Sequence, residues 1–503
     1  MTWAEVCAAA GAGDSTVANA ATPALGSLPV TGVTSDSRTV LPGHVFVALK
    51  GQRADGAAFV HDAIARGAAG IVSEQPAPEG VRTPWLLVPD SRLALARIAA
   101  AFFRHPSDAM QVVGITGTNG KTTTAHLVAS MFEAAGIPCG VLGTVGYRVG
   151  DDLRPATHTT PESPEVQGLL REMVDRGAGA CAMEVSSHAL VLGRVHDVRF
   201  AAGVFTNLTR DHLDFHEDME GYFQAKRRLF EMLPPGAPSV LNIDDPRGAS
   251  LAAEAAHPVT FAIGRAADVT PGPLSFSLDG LVFEARTPRG PLAVRSKLVG
   301  RPNVYNILAA AATGVALDLP ADAIERGVAA LAGVPGRFQI VSTAKDEITA
   351  VVDYAHTDDA LRHLLETARS LAIGRLITVF GCGGDRDRTK RPLMGAVAGR
   401  LSDLIILTSD NPRSEDPGRI IQEIQRGITP DTRRDSGQGL LTIVERRAAI
   451  DRAIEVARAG DLVLIAGKGH EKYQVIGAEV VAFDDVAVVQ AALARRRAKS
   501  GGL

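Results

Sequence analysis

The chain has 503 residues, a length that exceeds one hydrophobic core and suggests three domains. Its composition is that of an ordinary globular protein, with 46% hydrophobic residues, 21% charged residues and a formal net charge of −4. This balance gives no reason to expect nucleic-acid binding, although a local basic groove could hold a small anionic substrate. Aromatic residues make up 5% of the chain, which argues against a surface that stacks bases.

Cysteine usage and charge placement predict a cytoplasmic protein. The four cysteines have no metal-ligand spacing, and we interpret them as buried reduced thiols: Cys7, Cys139, Cys181 and Cys382. The first basic residue is Arg38, so we expect no signal peptide. Residues 15–35 carry no charge, but their Ser, Thr, Gly and Pro content excludes a membrane span.

Residues 1–107 are predicted to form a small α/β domain. Apolar runs predict strands at 45–49 and 70–73, and residues 59–66 have the pattern of a helix that ends at Gly67. The polar segments 34–38 and 51–56 are compatible with turns alone or with a site for a polar ligand.

A glycine-rich segment lies between a predicted strand at 112–115 and a predicted helix at 121–135 that is followed by Gly136 as its C-cap. Three glycines permit the tight turn between them: Gly114, Gly117 and Gly120. A strand, a glycine turn and a helix N-terminus together favour an anion site, because backbone N–H groups and the helix dipole face the ligand.

The same segment predicts a nucleotide. Lys121 is expected to reach the β- and γ-phosphates, and the Thr122 hydroxyl to hold Mg²⁺. The common phosphate-loop pattern has a glycine where this chain has Ile115, so the alternative is a glycine-rich turn that binds nothing.

The rest of the central segment, 108–336, alternates strand and helix patterns. Strands are predicted at 180–185 and 202–206, and both end in polar clusters. Because ligands sit beyond the carboxyl ends of parallel strands, these clusters and the glycine-rich turn are expected to share one crevice. Helices are predicted at 219–232, which carries Lys226, and at 308–317, with Asn303 and Asn306 ahead of it.

The two polar clusters contain candidate metal ligands, namely Glu184, His188, Asp211, His212 and Asp214. Glu184 with Thr122 is a reasonable Mg²⁺ set, and a second Mg²⁺ could take a histidine. The alternative for each residue alone is helix capping or pairing with Arg194 or Arg210. From its local pattern, Lys226 is a solvated surface lysine.

Residues 337–503 again predict an α/β domain, and the turn 334–337 is a predicted hinge. The strands are expected at 350–353, 376–380, 404–408 and 462–466, each followed by a polar loop. Arginines and carboxylates in the loops 381–387 and 410–413 suit a zwitterion, or could form salt bridges between loops. Lys468 and His470 could contact phosphate or complete a turn.

Together these motifs resemble the Mur ligases, and among them most closely the MurE type. The resemblance runs through all three segments, and its markers are Asp36–Arg38, Gly117–Thr123, Thr159–Glu162, Glu184–His188, Thr206–Asp214, Val334–Arg337, Asp353–His356, Gly381–Asp387, Asp410–Arg413 and Gly467–Glu471. It implies three α/β domains: a small N-terminal domain at 1–107, a central parallel-sheet ATPase domain with the phosphate loop at 108–336, and a Rossmann-like C-terminal domain at 337–503.

The resemblance implies a role for each domain. The first would hold the UDP part of a UDP-muramoyl substrate, through Ser37 and the loop of Gln52, Arg53 and Ala54. The muramoyl-dipeptide end would meet Thr159, Thr160, Ser186 and Arg194. ATP would be contacted by Gly117, Thr118, Asn119, Gly120, Lys121, Thr122 and Thr123, and by Asn303, Arg337, Asp353 and His356.

The resemblance also reverses the local interpretation of Lys226. This position matches a carbamylated lysine, N6-carboxylysine, that ligates a second Mg²⁺ in the family, because a carbamate supplies the anionic oxygen that a hard cation needs. The implied metal ligands are Thr122, Glu184, His212 and Lys226, and the implied catalytic residues are Lys121, Glu184, His212 and Lys226.

Amino-acid choice is expected in the last domain. The loop of Asp410, Asn411, Pro412 and Arg413 resembles that of enzymes adding meso-diaminopimelate, with Arg413 on the distal carboxylate. Arg386, Gly467 and Glu471 fall at further contacts. A lysine or ornithine adder remains an alternative.

The implied activity is an ATP-dependent amide ligase of peptidoglycan precursor synthesis. It would join the amino acid to the D-Glu γ-carboxylate of UDP-MurNAc-L-Ala-D-Glu through an acyl phosphate, acting as a monomer with small-molecule substrates, two Mg²⁺ ions and closure of the last domain. The alternatives are a nucleotide-binding regulator without ligase activity and a folylpolyglutamate-type ligase, although the latter leaves the first domain unexplained.

Overall fold

Three large sheets, each flanked by helices, organise the chain. The computed structural model describes residues 1–11, 17–18, 26–51, 55–432 and 439–500. Each of these sheets is largely parallel, and each lies within one of the three predicted segments. The α/β class and three-part architecture are confirmed, whereas the boundaries near residues 107 and 336 stay predictions.

The N-terminal sheet has the strand order β1-β5-β4-β3-β2, with only β1 antiparallel to its neighbour. Its strands are Val17–Ala18, Gly32–Thr34, His44–Val47, Gly70–Ser73 and Trp85–Leu87 for β1 to β5, and its helices are Trp3–Ala9, Val60–Ala65 and Ser91–Phe102. The strand predicted at 45–49 is shifted by one or two residues. The helix predicted at 59–66 is shorter, because the 3₁₀ turn Gly56–Phe59 leads into it.

The central sheet has the order β13-β12-β11-β6-β10-β7-β8-β9. Its strands are Gln111–Thr116, Cys139–Leu142, Tyr147–Val149, Asp152–Arg154, Ala180–Glu184, Phe200–Phe205, Ser239–Asn242 and Pro258–Phe261 for β6 to β13. The helices around it are Lys121–Ala134, Ser163–Asp175, Ser187–Val191, Leu213–His216, Met219–Glu231, Pro246–Glu254, Arg301–Ala316 and Ala321–Ala330.

Two features of the central segment differ from the sequence prediction. The helix expected at 308–317 begins at Arg301, because Gly300 turns the chain with φ 89° and Pro302 occupies the first turn. Asn303 and Asn306 therefore lie within this helix rather than ahead of it. A four-stranded antiparallel sheet was not predicted; its strands β14 to β17 are Thr270–Pro271, Ser275–Ser277, Gly280–Arg286 and Leu292–Ser296.

The C-terminal sheet has the order β18-β19-β23-β20-β21-β22. Its strands are Gln339–Ile340, Thr349–Asp353, Leu376–Phe380, Leu404–Leu407, Gly439–Thr442 and Leu462–Ala466 for β18 to β23, and the hairpin Tyr473–Ile476 and Glu479–Ala482 (β24 and β25) follows. The helices are Asp358–Leu371, Lys390–Leu401, Pro417–Gln425, Arg446–Val456 and Asp485–Ser500. All four strands predicted here are confirmed within one residue at each end.

Buried aliphatic side chains line the faces of the central and C-terminal sheets, which explains why their parallel strands have continuous apolar sequences. Within the described residues, every helix is too short or too polar to cross a lipid bilayer.

Candidate active site

The central sheet brings the glycine-rich turn and the two predicted polar clusters together. Strand β6 pairs with β10 on one side and β11 on the other, all parallel, so Glu184 lies opposite Ile115 and Phe205 opposite Thr116. The carboxyl ends of these neighbours open onto a cavity of about 280 Å³. The expectation of one shared crevice is confirmed.

The glycine-rich turn is held by residues of the neighbouring strand end. Gly117 has φ 144°, and a Cβ there would lie 1.9 Å from Thr206 Oγ1, so a side chain would not fit. The Thr206 hydroxyl donates to Asn119 O at 2.6 Å, and Asn119 N donates to Asn207 Oδ1 at 2.9 Å. Gly120, with φ 90°, then starts the helix Lys121–Ala134.

Two lysines point into the turn from different helices. Lys121 Nζ donates to Gly117 O at 2.9 Å and to Thr118 O at 2.8 Å. Lys226, whose residue is only 1% exposed, donates to Gly117 O at 2.8 Å, and its Nζ lies 4.4 Å from the ring centroid of Tyr222. Lys226 is therefore not a surface lysine.

Burial lowers the pKa of both amines, and for Lys226 the charge of Lys121 lowers it further, to well below the usual range. For Lys121, the Glu184 carboxylate acts in the opposite direction. Two ammonium groups that share a carbonyl oxygen favour an anion nearby, or a neutral amine at the more buried position.

Glu184 is fully enclosed at the end of β10. Its Oε2 accepts from Thr122 Oγ1 at 3.1 Å and from Thr144 Oγ1 at 3.2 Å, and its Oε1 accepts from Thr144 N at 2.8 Å. The predicted proximity of Glu184 and Thr122 is therefore present. Thr144 was missed by the sequence analysis, because the loop after β7 carries no distinctive residue.

The histidines form an adjoining group. The rings of His188 and His212 meet edge to face with centroids 4.9 Å apart, and His212 Nε2 lies 3.3 Å from Asp211 Oδ2. Burial lowers the pKa of the His212 imidazole below its usual range, although Asp211 opposes this. A neutral imidazole is the form that ligates metals.

The C-terminal segment supplies another wall of the cavity. Arg337 Nη2 donates to Thr122 Oγ1 at 3.1 Å, and the guanidinium lies over the Tyr354 ring at 4.7 Å. The Val334–Arg337 turn, closed by a hydrogen bond from Arg337 N to Val334 O at 3.0 Å, places this side chain. Asn119 Nδ2 also donates across the interface, to Asp359 Oδ2 at 3.3 Å.

Other predicted nucleotide residues line the same cavity. Asp353 accepts from the backbone N–H groups of Phe338 and Ala355, and burial raises the pKa of its carboxyl. Burial lowers the pKa of His356, which hydrogen-bonds to Tyr354 O at 2.9 Å. Asn303 and Asn306, linked at 2.9 Å, close the cavity beside Gly120.

The predicted contacts for the muramoyl-peptide end lie beside Glu184. Thr160 Oγ1 donates to Glu184 O at 2.8 Å, and Ser186 N donates to Thr160 Oγ1 at 3.0 Å. Arg194 donates to Thr160 O at 2.9 Å, and Thr159 shares a hydrogen bond with Thr144 at 3.1 Å.

The predicted UDP contacts belong to the first sheet. Ser37 starts a 3₁₀ turn capped by Asp36, whose carboxylate pairs with Arg38. Gln52, Arg53 and Ala54 lie outside the described residues.

The predicted amino-acid contacts lie in the loops that follow β20, β21 and β23. Asn411 Nδ2 donates to Glu471 Oε2 at 2.9 Å, and a Cβ on Gly467 would lie 2.4 Å from Asp410 Oδ2. Arg413, which follows Pro412 and has φ 53°, donates from Nη1 to Gly384 O at 2.7 Å. Arg386 is exposed and hydrogen-bonds to the carbonyl of Asp385.

Comparison with known proteins gives this arrangement a family. The model for "Mur ligase middle domain" matches residues 115–314, "Mur ligase, glutamate ligase domain" matches 336–469, and "Mur ligase family, catalytic domain" matches 29–103. A UDP-N-acetylmuramoyl-L-alanyl-D-glutamate--2,6-diaminopimelate ligase from Geobacter metallireducens is 50% identical over 495 residues, which cover 95% of this chain and 96% of that one. The chain belongs to the Mur ligase family.

Three further comparisons agree with the Mur ligase assignment. The Geobacillus thermodenitrificans protein of the same name is 45% identical over 94% of this chain and 96% of its own. A solved structure of a ligase with this name is 36% identical and superposes with a TM-score of 0.66 over 94% of this chain and 96% of that one. A MurF ligase from Thermotoga maritima in complex with ADP shares the fold, at 19% identity and a TM-score of 0.64 over 94% and 99%.

The donor set of this Mur ligase fits Mg²⁺ at one position. Within the described residues no three His, Cys, Asp or Glu side chains gather as a metal cluster. Thr122 and Glu184 nevertheless place two oxygen donors together, and Mg²⁺ characteristically takes few protein ligands and completes its shell with water and phosphate. At the second position, an ammonium on Lys226 cannot ligate a cation, so the site fits only with a carbamate there.

Proposed function

We propose that this protein is an ATP-dependent ligase that joins meso-diaminopimelate to the D-Glu γ-carboxylate of UDP-MurNAc-L-Ala-D-Glu. The observation that carries the proposal is the meeting of the glycine-rich turn, Glu184 and Arg337 around one cavity. The names of the relatives at 45–50% identity support the substrates. The ADP complex of the Thermotoga maritima MurF structure supports the nucleotide.

ATP is proposed to bind with its phosphates at residues 117–123. When ATP binds, Lys121 Nζ would donate to the phosphates instead of to the carbonyls of Gly117 and Thr118, since an anion is the stronger acceptor. Arg337 would approach the same phosphates from the C-terminal side. Asn303, Asp353 and His356 are proposed to hold the rest of the nucleotide.

The first step is attack of the D-glutamyl carboxylate on the γ-phosphorus of ATP, which breaks the bond to the bridging oxygen and gives an acyl phosphate and ADP. Two anions must approach each other, so positive groups have to offset their repulsion. Lys121 and Arg337 are the cations of this chain proposed for that role. The muramoyl-dipeptide would be oriented by Thr159, Thr160, Ser186 and Arg194. The UDP part would be held by Ser37 and residues 52–54.

Mg²⁺ would be held by Thr122 and Glu184, and a second ion by His212 and carbamylated Lys226. Mg²⁺ bound at these positions would neutralise part of the negative charge of the phosphates. The buried setting of Lys226 supports carbamylation, because burial and the charge of Lys121 lower the pKa of the amine and so favour its neutral form, and only the neutral amine forms a bond to carbon dioxide.

In the second step the amine of the diamino acid attacks the acyl carbon, an amide forms and phosphate leaves. Glu471, Asp410 and Asn411 are proposed to hold the amino acid, and Arg413 and Arg386 its carboxylates. A carboxylate on the distal end is what meso-diaminopimelate has and lysine and ornithine lack, and a guanidinium binds it bidentately.

We also propose domain boundaries at 107/108 and 336/337, with closure of the C-terminal domain about the 334–337 turn, and a monomer in the cytoplasm. The four cysteines, each a free thiol, support a reducing compartment.

The proposal is tested by phosphate release from ATP in the presence of UDP-MurNAc-L-Ala-D-Glu and one diamino acid at a time. We expect release to depend on the diamino acid and to be fastest with meso-diaminopimelate. Faster release with lysine or ornithine would contradict the amino-acid assignment. Phosphate release that does not depend on any amino acid would contradict the proposed ligase activity.

A further inference from the structure

Lys468 occupies a place that the proposed mechanism does not use. It follows β23, and its side chain is fully buried. Its Nζ donates to Asn411 Oδ1 at 2.9 Å and to Glu471 Oε2 at 3.1 Å, and lies 3.6 Å from Asp410 Oδ1. The ammonium therefore faces the amino-acid residues, whereas the sequence left open a phosphate contact or a turn.

The two carboxylate oxygens of Glu471 differ in their hydrogen bonds. Its Oε2 accepts from both Lys468 Nζ and Asn411 Nδ2, at 3.1 and 2.9 Å. In the part of the chain that the structure describes, Oε1 has no hydrogen-bond donor, and the side chain is 18% exposed. One oxygen is thus fixed by the protein and the other is left for a ligand that donates hydrogen bonds.

We propose that Lys468 is a positioning residue for the amino-acid substrate, which fixes Glu471, both directly and through Asn411, so that Glu471 Oε1 accepts from an ammonium group of the diamino acid. The inference rests on the proposed function and adds a residue to it. Without the cation, the Asp410 and Glu471 carboxylates would repel each other, and the Glu471 carboxylate would turn away from the ammonium of the ligand.

The test compares Lys468→Met with Lys472→Met in the full-length enzyme. Methionine keeps the length of the side chain and removes its charge. Lys472 is the matched control, since it is exposed and pairs with Asp484 at the surface. We expect Lys468→Met to raise KM for the diamino acid at least about tenfold while KM for ATP stays within about twofold, and Lys472→Met to change neither.

A double-mutant cycle separates positioning from folding. Because Lys468 is inferred to act through Glu471, Lys468→Met/Glu471→Gln should have the same KM for the diamino acid as Glu471→Gln alone. The double variant removes both charges of the buried pair, so it keeps the test open if Lys468→Met alone fails to fold. Additive effects in the cycle would overturn the inference.

Two other results would also overturn it: a lower KM for the diamino acid in Lys468→Met, or an increase confined to ATP. Failure of the proposed function looks different. In that case the wild-type enzyme itself would show no phosphate release that depends on a diamino acid.

Discussion

Replacement of Arg337 by alanine tests whether the C-terminal segment takes part in nucleotide chemistry. The guanidinium donates to Thr122 Oγ1 at 3.1 Å and lies over the Tyr354 ring at 4.7 Å. A hydrogen bond from a charged donor contributes about 1.5–3 kcal/mol. A partly exposed cation–π contact adds about 0.5–1 kcal/mol.

Together these contacts hold the guanidinium in place with about 2–4 kcal/mol. If the guanidinium makes contacts of the same energy with the bound phosphates in the transition state, the loss of these contacts corresponds to a fall in kcat/KM for ATP of about 30- to 1,000-fold. This range overlaps the effect of removing one donor from an oxyanion site, which is about 10²–10³ in kcat.

The assay is phosphate release at saturating UDP-substrate and diamino acid, with ATP varied. Arg337→Lys keeps the charge without the planar fork and should fall between wild type and Arg337→Ala. Arg419→Ala removes an exposed arginine from the same domain and should match wild type. A loss below about threefold in Arg337→Ala, or a loss seen only when the diamino acid is varied, would refute the reasoning.

Four further substitutions give distinct outcomes. Lys121→Ala should lower phosphate release at least about a hundredfold, because it removes the cation closest to the proposed phosphates; retained turnover would exclude the phosphate-loop assignment. Arg413→Ala should raise KM for meso-diaminopimelate much more than KM for ATP, and the opposite pattern would mean that the amino-acid pocket is misplaced. Asp485→Asn leaves the fully buried charge of Arg446 unpaired, so the free energy of unfolding of the C-terminal domain should fall by about 3–5 kcal/mol in urea titrations. An unchanged urea midpoint would contradict the role of this ion pair. Burial and two nearby arginines lower the pKa of His126 to about 4, so below pH 6.5 the unfolded chain binds a proton that the folded protein does not, and stability falls as pH drops from 6.5 to 4. The melting temperature of His126→Gln should therefore fall less steeply over that range than the melting temperature of the wild type. An equal slope for the two proteins would contradict the burial argument.

The glycine-rich turn was predictable because its signal is local. The strand β6 and the helix after Gly120 lie within one residue of their expected bounds. A tight turn with required glycines and the start of a helix both depend on residues close in sequence. The convergence of Glu184 with the turn followed from the general rule for parallel sheets.

The interpretation of Lys226 from its local pattern missed its burial, although the sequence carried a signal for it. Neighbouring Arg227 and Arg228 made a solvated basic face the simpler interpretation. In the helix Met219–Glu231, however, Tyr222 precedes Lys226 by four residues and Leu229 follows it by three, and both are buried. Helical spacing therefore places Lys226 on the apolar face, while Arg227 pairs with Glu231 at the surface.

Contacts between residues far apart in the chain could not be predicted from the sequence. Thr144, Tyr222 and Asp359 reach the site from elements that have no distinctive motif, and their partners are 40 to 240 residues away. Such pairs depend on how sheets and helices pack in space, which local periodicity does not encode. The antiparallel strands β14 to β17 were missed for another reason, since their alternating pattern is short and partly exposed.

The central claim is that ATP activates the D-glutamyl carboxylate as an acyl phosphate. It is tested most directly by UDP-MurNAc-L-Ala-D-Glu labelled with ¹⁸O in the γ-carboxylate, turned over with ATP and meso-diaminopimelate, with mass analysis of the released phosphate. The mechanism predicts that one ¹⁸O atom moves from the carboxylate into each phosphate released. Unlabelled phosphate formed together with the amide product would contradict it.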